Sequence, residues 1–442
     1  MQPEADADTP FDAARDPQSP APDLSSPAPT ASHVRRLLAI AGAALAFYVV
    51  ASAAIVYVFG VKRIGYFFFD LSDIEIYFRY AFFMAGGGRP YVDFPVEYPP
   101  LALTLFKLAG PPDHIDRYAF RFALEMLLFG AAAAIATAAT AARAWEAGRR
   151  PFLVAGGFSL GVAAIGALLA NRYDAAVALV FATCLLFLVH GWTAAAAIAL
   201  GIGFALKLVP AVLLPLVLIL APSRNAALRA AAGFAAAAAL PFLPYLPEGL
   251  PGLAEVFAYH GKRPLQIESV LATPIWIGQV LGMVDVRIST GFGSQNVVAP
   301  GADGLAAIST VLGLAAIALT VVGIWRRRAR LRETPRLIPL AAASVLLSFI
   351  VFGKVLSPQF LIWLLPCVAL LLADRRPLAA LLLAAMALTQ VEFPANYFNF
   401  TGLEPAAIAC VIARNALLAG AFALSAVQLW RIPAGTRSPT AG

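Results

Sequence analysis

Acidic and aromatic side chains are concentrated in one stretch of the chain, residues 66–100. Asp70, Asp73 and Tyr77 are three and four residues apart, so they share one face if residues 71–84 form a helix. A carboxylate beside an aromatic wall is suited to act as a general base, because burial raises its pKa towards neutrality. The spacing therefore offers a candidate base. The competing interpretation is a helix cap followed by solvated acids at a membrane edge.

Cationic side chains that could stabilise a phosphate lie further along the sequence. The candidates are Arg172, Lys207, His260, Lys262, Arg263 and Lys354. Lys207 stands where an apolar run breaks at Pro210, and a lysine inside a membrane is costly unless it is paired or functional. The competing interpretation for Lys207 and Lys354 is extension to the lipid headgroups. Arg172 could instead pair with Asp174 across a tight turn, and the remaining basic run could bind anionic headgroups.

Further polar residues complete the set of candidates for substrate binding: Tyr77, Glu97, Gln266, Glu268 and Gln359. Glu268 precedes an amphipathic segment at 270–281, so it either positions the hydroxyl groups of a substrate or caps that segment. Tyr77 either lines the site or belongs to an interfacial aromatic belt. The chain has three cysteines and four histidines without the spacing of a metal site. We therefore expect neither a metal nor a cofactor.

The apolar content determines the fold class. Hydrophobic residues make up 61% of the chain, charged residues 13%, and the mean hydropathy is +0.79, which leaves too few charges to cover a soluble domain. We expect an all-α polytopic membrane protein with about twelve transmembrane helices and short interfacial helices in its outer loops. The segment Leu101–Gly110 is too short to span and is predicted to be re-entrant or interfacial. The predicted spans are 37–60, 118–143, 152–170, 174–190, 192–207, 209–221, 226–246, 305–325, 337–353, 359–373, 377–393 and 405–430.

The distribution of arginine orients this bundle. With a cytoplasmic N-terminus, the predicted spans put every short arginine-rich loop in the cytoplasm, as the positive-inside rule requires. Residues 1–33, rich in proline and acids, are predicted to be a disordered cytoplasmic tail. Residues 34–431 form the transmembrane domain, with outer loops at about 61–117 and 247–304, and 432–442 form a second cytoplasmic tail. The net charge of +7 follows from this topology, so we expect no nucleic-acid partner.

Four motifs follow one another along this chain and carry a resemblance. They are Asp73-(x)3-Tyr77 with Gly88-x-Pro90-Tyr91 and Glu97-Tyr98-Pro99-Pro100; Ala205-Leu-Lys207-Leu-Val-Pro210; Gln266-Ile-Glu268-Ser269; and Lys354-Val-Leu-Ser357-Pro358-Gln359-Phe-Leu-Ile-Trp363. In this order the chain, from about residue 40 to 430, resembles the polyprenol-phosphate-mannose-dependent alpha-mannosyltransferase-like family. That family belongs to the GT-C superfamily of membrane glycosyltransferases.

The resemblance implies a GT-C-like bundle in the cytoplasmic (inner) membrane, with its active site on the outer face. It implies transfer of a sugar, of mannose type, from a polyprenyl-phosphate donor to a hydroxyl of a glycolipid or polysaccharide acceptor, with inversion and without an obligatory metal. The motif match carries the role of general base to Asp73. Asp70 is the alternative, because Asp70-x-x-Asp73 leaves the alignment ambiguous.

Two other functions remain open on the sequence. A lipid-linked-sugar flippase or a solute transporter would also need broken helices and an intramembrane lysine. The absence of an evident internal repeat and the concentration of acids in one outer loop argue against it. An O-antigen-ligase-like transferase would move a whole glycan from a lipid diphosphate and is expected to use a different set of outer-loop residues.

Overall fold

The computed structural model describes residues 31–61, 73–145 and 148–434, with side chains of the first range described up to residue 58. Asp70 therefore lies outside the described residues. The tails predicted at 1–33 and 432–442 lie almost entirely outside them as well. The regular secondary structure of the described residues is helical apart from one small hairpin.

Helices account for most of the described residues. In chain order they are α1 (Ala31–Ile55), α2 (Ile74–Ala85), α3 (Pro100–Leu108), α4 (Ile115–Ala144), α5 (Arg150–Ile165), α6 (Leu168–Asn171), α7 (Asp174–Val189), α8 (Thr193–Leu206), α9 (Leu214–Leu220), α10 (Arg224–Ala239), α11 (Leu246–Lys262), α12 (Thr273–Val280), α13 (Ala302–Arg326), α14 (Arg328–Glu333), α15 (Ile338–Phe352), α16 (Leu365–Leu372), α17 (Arg376–Gln390), α18 (Tyr397–Thr401) and α19 (Pro405–Trp430). Short 3-10 or π turns extend several of them, at Val56–Val61, Val209–Leu213, Leu240–Tyr245, Val270–Ala272, Pro335–Leu337, Pro358–Leu364 and Val391–Ala395.

The structure confirms a helical protein with several helices able to cross a membrane. Seven helices among the described residues are long and apolar enough to span one: Ala31–Val58, Ile115–Ala144, Arg224–Lys262, Ala302–Arg326, Pro335–Phe352, Arg376–Ala395 and Pro405–Trp430. The other predicted spans are apolar helices of 10–17 residues, shorter than the roughly 20 residues that a bilayer requires. The count of about twelve spans is therefore not confirmed.

Backbone breaks explain why those helices are short. Gly166 adopts a positive φ of 62° and ends α5, a conformation that costs glycine nothing. Lys207 is extended between α8 and the turn at Val209–Leu213. Residues 240–245 do not break the helix, because a 3-10 turn accommodates their prolines. The chain therefore remains helical from α10 to Lys262. The first part of the predicted loop at 247–304 is therefore helix.

Small residues let the helices approach closely. α8 packs along α10, α4 along α7, and α1 along α5. At Gly201 of α8, an added Cβ would lie 2.5 Å from the carbonyl oxygen of Phe234 on α10. Such close approach through glycine and alanine is how helices associate where lipid replaces water.

One end of the bundle carries the segments between the long helices. The short helix α3 is largely buried, with Ala102, Leu103 and Phe106 inside, in agreement with a segment that does not span. Strands β1 (Arg287–Gly291) and β2 (Ser294–Val298) form an antiparallel hairpin in which Arg287 faces Val298. The hairpin is fixed to residues 265–267, because Ile267 and Val297 donate backbone hydrogen bonds across to Gln295 and Leu265.

The arginine-rich loops gather at the opposite end. Arg150 pairs with Asp374 at 3.5 Å, and the Arg332 guanidinium donates to the carbonyl oxygen of Ile219 at 2.8 Å. Arg327 donates to the carbonyl oxygen of Ile432 at 3.0 Å. The loops that the sequence assigned to one side thus contact one another in space.

Candidate functional site

A cavity of about 600 Å³ opens at the end of the bundle that carries the hairpin. Its polar lining comprises Asp73, Glu97, Lys207, His260, Arg263, Ser309, Thr310, Lys354, Ser357 and Gln359. Its aromatic lining comprises Tyr98, Tyr173, Tyr259, Phe292, Phe349, Phe352, Phe360 and Trp363. We call it the Asp73 cavity. It unites seven of the residues that the sequence nominated, and they come from four separate stretches of the chain.

Asp73 stands at the start of α2, where it lines the cavity with its side chain 30% exposed. The Tyr77 hydroxyl donates to its Oδ2 at 3.3 Å, the contact that the i, i+4 spacing predicted. Arg172 places its Nε 3.3 Å from the same oxygen, and the arginine is almost fully buried. The ion pair and the hydrogen bond fix the orientation of the carboxylate.

Tyr77 belongs to an aromatic cluster and not to an exposed interfacial belt. Its side chain is completely buried and stacks on Phe106 at a centroid distance of 4.3 Å. Tyr98 and Tyr173 meet the Tyr77 ring edge-on, at centroid distances of 6.0 and 5.8 Å. These contacts hold α2 against α3 and against the start of α7, because aromatic pairs at such separations are individually favourable. Tyr77 therefore positions Asp73 and does not itself line the cavity.

Lys207 forms an ion pair with a buried carboxylate, which contradicts one competing interpretation of the sequence. Its Nζ lies 2.6 Å from Oδ1 of Asp174, whose side chain is only 1% exposed. The Trp363 indole donates to the same Oδ1 at 2.6 Å. Lys207 thus points inward and does not extend to the headgroups, since a buried charge requires a partner.

Arg172 does not pair with Asp174 across a turn, contrary to the competing interpretation of the sequence. Asp174 is occupied by Lys207, while Arg172 turns to Asp73. The physical reason is that Asp174 is the first residue of α7 and Lys207 the residue that ends α8, so the antiparallel packing of these helices brings the two charges together.

The cationic part of the cavity is formed by Arg263 and Lys354, and His260 lies on the same side of the lining. The Lys354 ammonium donates to the carbonyl oxygen of Gly261 at 2.7 Å, and Arg263 lies over the Tyr259 ring at 5.8 Å. Burial, and to a smaller extent the nearby Arg263, lowers the pKa of Lys354. Neither Arg263 nor Lys354 has a carboxylate within 4.0 Å among the described residues, so this part can accept an anionic group.

Lys262 does not belong to this cluster. Its side chain is 65% exposed and its ammonium lies 4.0 Å from Glu255. Residues 260–263 span the end of α11, where successive side chains point in different directions. His260 and Arg263 therefore line the cavity, whereas Lys262 faces away.

The tip of the hairpin closes one side of the cavity beside Glu97. Phe292 and Gly293 both have positive φ, 54° and 59°, the combination that a two-residue hairpin turn requires. Phenylalanine rarely adopts this conformation. Its ring lies 5.5 Å from that of Tyr259, and a Cβ added at Gly293 would lie 3.1 Å from the Tyr259 hydroxyl and 3.7 Å from Oε2 of Glu97.

Gln266 and Glu268 lie outside the cavity in a buried polar network. The Gln266 amide donates to Oε2 of Glu268 at 2.8 Å. Arg414 on α19 donates to the Glu268 carbonyl oxygen at 2.8 Å and places Nη1 3.7 Å from Glu392. Burial, with Glu392 nearby, raises the pKa of Glu268 well above its ordinary value. Neither position is therefore in contact with a substrate in the cavity.

Glu268 does not cap the following segment either. The hydroxyl of Ser269 accepts the backbone N–H of Leu271 and provides that cap. Arg414 and its neighbour Asn415 join α19 to this loop, because Asn415 donates to the carbonyl oxygen of Ser269 at 3.2 Å. Gln266 contributes through its backbone as well, since its N–H donates to the Lys354 carbonyl oxygen at 2.9 Å. The network therefore holds Lys354 in place.

Several residues of the site were missed on the sequence. Asp174 was considered only as a possible partner of Arg172, and Trp363 was not nominated although it lies in the last of the four motifs. Tyr259 was visible in the basic run that follows it. A hairpin turn at Phe292 could have been predicted, because Phe292 precedes Gly293 and lies between two short segments that fit β-strands. In the part of the chain that the structure describes, no group of three or more His, Cys, Asp or Glu residues could hold a metal ion.

Comparison with known proteins adds no relative. No protein-family model matches the chain, and no curated protein matches it. The resemblance drawn from the four motifs stays a prediction, and the functional argument rests on the cavity.

Proposed function

We propose that the protein is an integral membrane glycosyltransferase. It moves a sugar, of mannose type, from a polyprenyl-phosphate donor to a hydroxyl of a glycolipid or polysaccharide acceptor, with inversion at the anomeric carbon. Asp73 is the general base. The observation that carries the proposal is the two-part lining of the Asp73 cavity, which is polar at one end and apolar at the other.

The apolar end suits a lipid chain. It is formed by Val209 and Val212 of the turn after α8, by Phe349 of α15, and by Leu314 and Ile317 of α13. Leu314 is 67% exposed although it lines the cavity, so the cavity is open sideways along α13. A donor whose phosphate must meet the polar end while its isoprenoid chain stays in hydrocarbon requires such a lateral opening.

The charges of the polar end suit a phosphate. Asp73 with Arg172, and Lys207 with Asp174, form two ion pairs that are each neutral overall. Arg263 and Lys354 remain as the cationic surplus, with Glu97 on the side of the hairpin tip. We assign the donor phosphate to Arg263 and Lys354, with a further N–H from Lys207. The sugar then extends towards Glu97, Gln359 and Phe292.

The proposed step needs one base and one stabilised leaving group. The acceptor oxygen forms a bond to the anomeric carbon while the bond from that carbon to the phosphate oxygen breaks, and the electron pair leaves with the polyprenyl phosphate. The acceptor proton passes to Asp73. Because Tyr77 and Arg172 both contact Oδ2, Oδ1 is the oxygen assigned to that proton. The developing phosphate charge is stabilised by Arg263 and Lys354.

We further propose that the protein lies in the cytoplasmic (inner) membrane with both termini in the cytoplasm. The arginine-rich loops meet at the end of the bundle opposite the Asp73 cavity. The positive-inside rule assigns that end to the cytoplasm, and the cavity then opens on the outer face.

A lipid-linked-sugar flippase or solute transporter is the second candidate. The Lys207–Asp174 pair favours it, because transporters place charged pairs where membrane helices are interrupted, and Lys207 lies at such an interruption. The Asp73–Arg172 pair would then have a structural role only.

Purified full-length protein, incubated in detergent with labelled polyprenyl-phosphate sugars and an envelope lipid extract, distinguishes the two. The proposal predicts a new labelled product with inverted anomeric configuration, with the mannosyl donor used best. The transporter alternative predicts no new glycosidic bond from any donor, together with movement of the labelled lipid across the membrane of reconstituted vesicles.

A further inference from the structure

A second pocket lies at the opposite end of the bundle from the Asp73 cavity. It has a volume of about 340 Å³ and is lined by four arginines, Arg330, Arg336, Arg375 and Arg431, together with Thr334 and Gln428. We call it the basic pocket. Its walls come from the segment between α13 and α15, from the start of α17 and from the end of α19, so three separate parts of the chain build it.

Three of the four arginines of the basic pocket have no carboxylate partner in the part of the chain that the structure describes. Its lining contains no carboxylate. Among the described ion pairs, only Arg330 has a partner, Glu333, at 3.5 Å with both side chains substantially exposed. Such exposed pairs contribute little. Arg336, Arg375 and Arg431 have no carboxylate within 4.0 Å in the described part of the chain, and residues 435–442 contain no Asp or Glu.

Neighbouring arginines differ from these in a way that defines the pocket. Arg327 is buried and donates to backbone carbonyls at the end of α19. Arg332 donates to the carbonyls that end α9. These two tie helix ends together, whereas the pocket arginines point into a shared concavity. Oε1 of Gln428 is also buried there without a hydrogen-bond partner, which leaves a polar group in the pocket unsatisfied.

We infer that the basic pocket binds the phosphate group of an anionic phospholipid. Arginine forks match phosphate oxygens in a bidentate manner, and the pocket lies at the ends of membrane helices, where lipid phosphates lie. Basic pockets between transmembrane helices on the cytoplasmic side are suited to anionic lipid headgroups. The inference concerns a site about one helix length from the Asp73 cavity, since α13 separates them, and it is independent of the proposed function.

The test uses the full-length protein in detergent with phosphatidylglycerol or, as the neutral lipid, phosphatidylcholine. Retained lipid is measured by native mass spectrometry, and thermal stability is measured in parallel. The test variant is Arg336→Gln/Arg375→Gln/Arg431→Gln. The matched control is Arg224→Gln/Arg229→Gln/Arg376→Gln, which removes the same charge from exposed arginines at the same end of the bundle but outside the basic pocket.

The inference predicts that wild type retains phosphatidylglycerol in preference to phosphatidylcholine and is stabilised by it. The pocket variant should lose affinity by roughly fivefold for each arginine removed, while the control variant keeps nearly all of it. Equal losses in the two variants would overturn the inference, because a diffuse surface charge would then explain the binding.

Two further arms identify the source of the phosphate. Inorganic phosphate and pyrophosphate are added in place of lipid, and the inference predicts much weaker protection from either. Protection as strong as that from the lipid would overturn the lipid assignment in favour of a soluble phosphate. The pair of variants is then compared after removal of residues 1–30, which carry six acids. If the truncated forms of the two variants no longer differ in the phosphatidylglycerol that they retain, the pocket binds the acidic N-terminal segment, and the lipid assignment is wrong.

Discussion

The Lys207–Asp174 pair gives the most informative perturbation of the site, because each charge depends on the other. Removing one partner of a buried ion pair costs about 3–5 kcal/mol, since the remaining charge stays buried. Replacing both partners by neutral groups of similar shape is often neutral for stability. We therefore compare Lys207→Met, Asp174→Asn and the double variant.

The structure predicts an order for these variants. Lys207→Met leaves Asp174, which is 1% exposed, with the Trp363 indole as its one remaining partner among the described residues. This variant should therefore lower the free energy of unfolding by the full amount of about 3–5 kcal/mol. Asp174→Asn costs less, because Lys207 is 18% exposed and keeps the ring of Tyr173 at 4.5 Å as a cation–π partner. The double variant keeps an oxygen acceptor for Trp363 and should lie within about 1 kcal/mol of wild type.

The assay is unfolding by sodium dodecyl sulfate in mixed micelles, followed by tryptophan fluorescence, with Lys107→Met as the control. Lys107 is exposed on α3, and a change there should stay within about 0.5 kcal/mol. Additive losses in the double variant would refute the reasoning, because independent sites add to within about 0.5 kcal/mol. The double variant should also be folded yet impaired in transfer, since it lacks the Lys207 ammonium.

Three further predictions concern the hairpin, Lys354 and the buried network. Gly293→Ala puts a side chain at a residue with positive φ and against the Tyr259 hydroxyl, so turnover should fall about tenfold or more while the protein stays folded. The control is Gly304→Ala, whose Cβ would meet nothing within 4 Å and which should behave as wild type. Equal turnover of the two variants would contradict the prediction. Lys354 has a lowered pKa, so it loses its charge at a lower pH than an ordinary lysine. Donor affinity, measured by a binding titration, should therefore decline as the pH rises through that range. Lys354→Arg should abolish this decline in affinity. Arg414→Met leaves the buried Glu392 without its ion-pair partner and should lower the free energy of unfolding by about 3–5 kcal/mol. A loss below about 1 kcal/mol would show that the network contributes little.

Local spacing predicted part of the site correctly. The i, i+4 relation placed Tyr77 on Asp73, and proline pairs correctly marked α3 as too short to span. The arginine pattern also grouped loops that the structure brings into contact. These successes share a cause, because they depend on residues near one another in sequence or on a rule of composition.

Pairings between distant residues could not be predicted in the same way. Lys207 meets Asp174 because α7 and α8 pack antiparallel, and Arg172 is thereby left for Asp73. Glu268 is buried by α19 through Arg414, a contact that joins residues 146 positions apart in the chain. The number of membrane-spanning helices could not be predicted from the apolar pattern either. Apolar runs of similar length form long helices in some places and helices of 10–17 residues in others.

The role of Asp73 is the central claim, and one comparison tests it most directly. Transfer from the mannosyl donor and equilibrium binding of that donor are measured for wild type, Asp73→Asn and Glu75→Gln, the last a control on the exposed face of α2. The account predicts that Asp73→Asn loses transfer by 100-fold or more, on the order of a general base's contribution, while it binds donor normally and Glu75→Gln transfers like wild type. Transfer by Asp73→Asn at the wild-type rate would contradict the account.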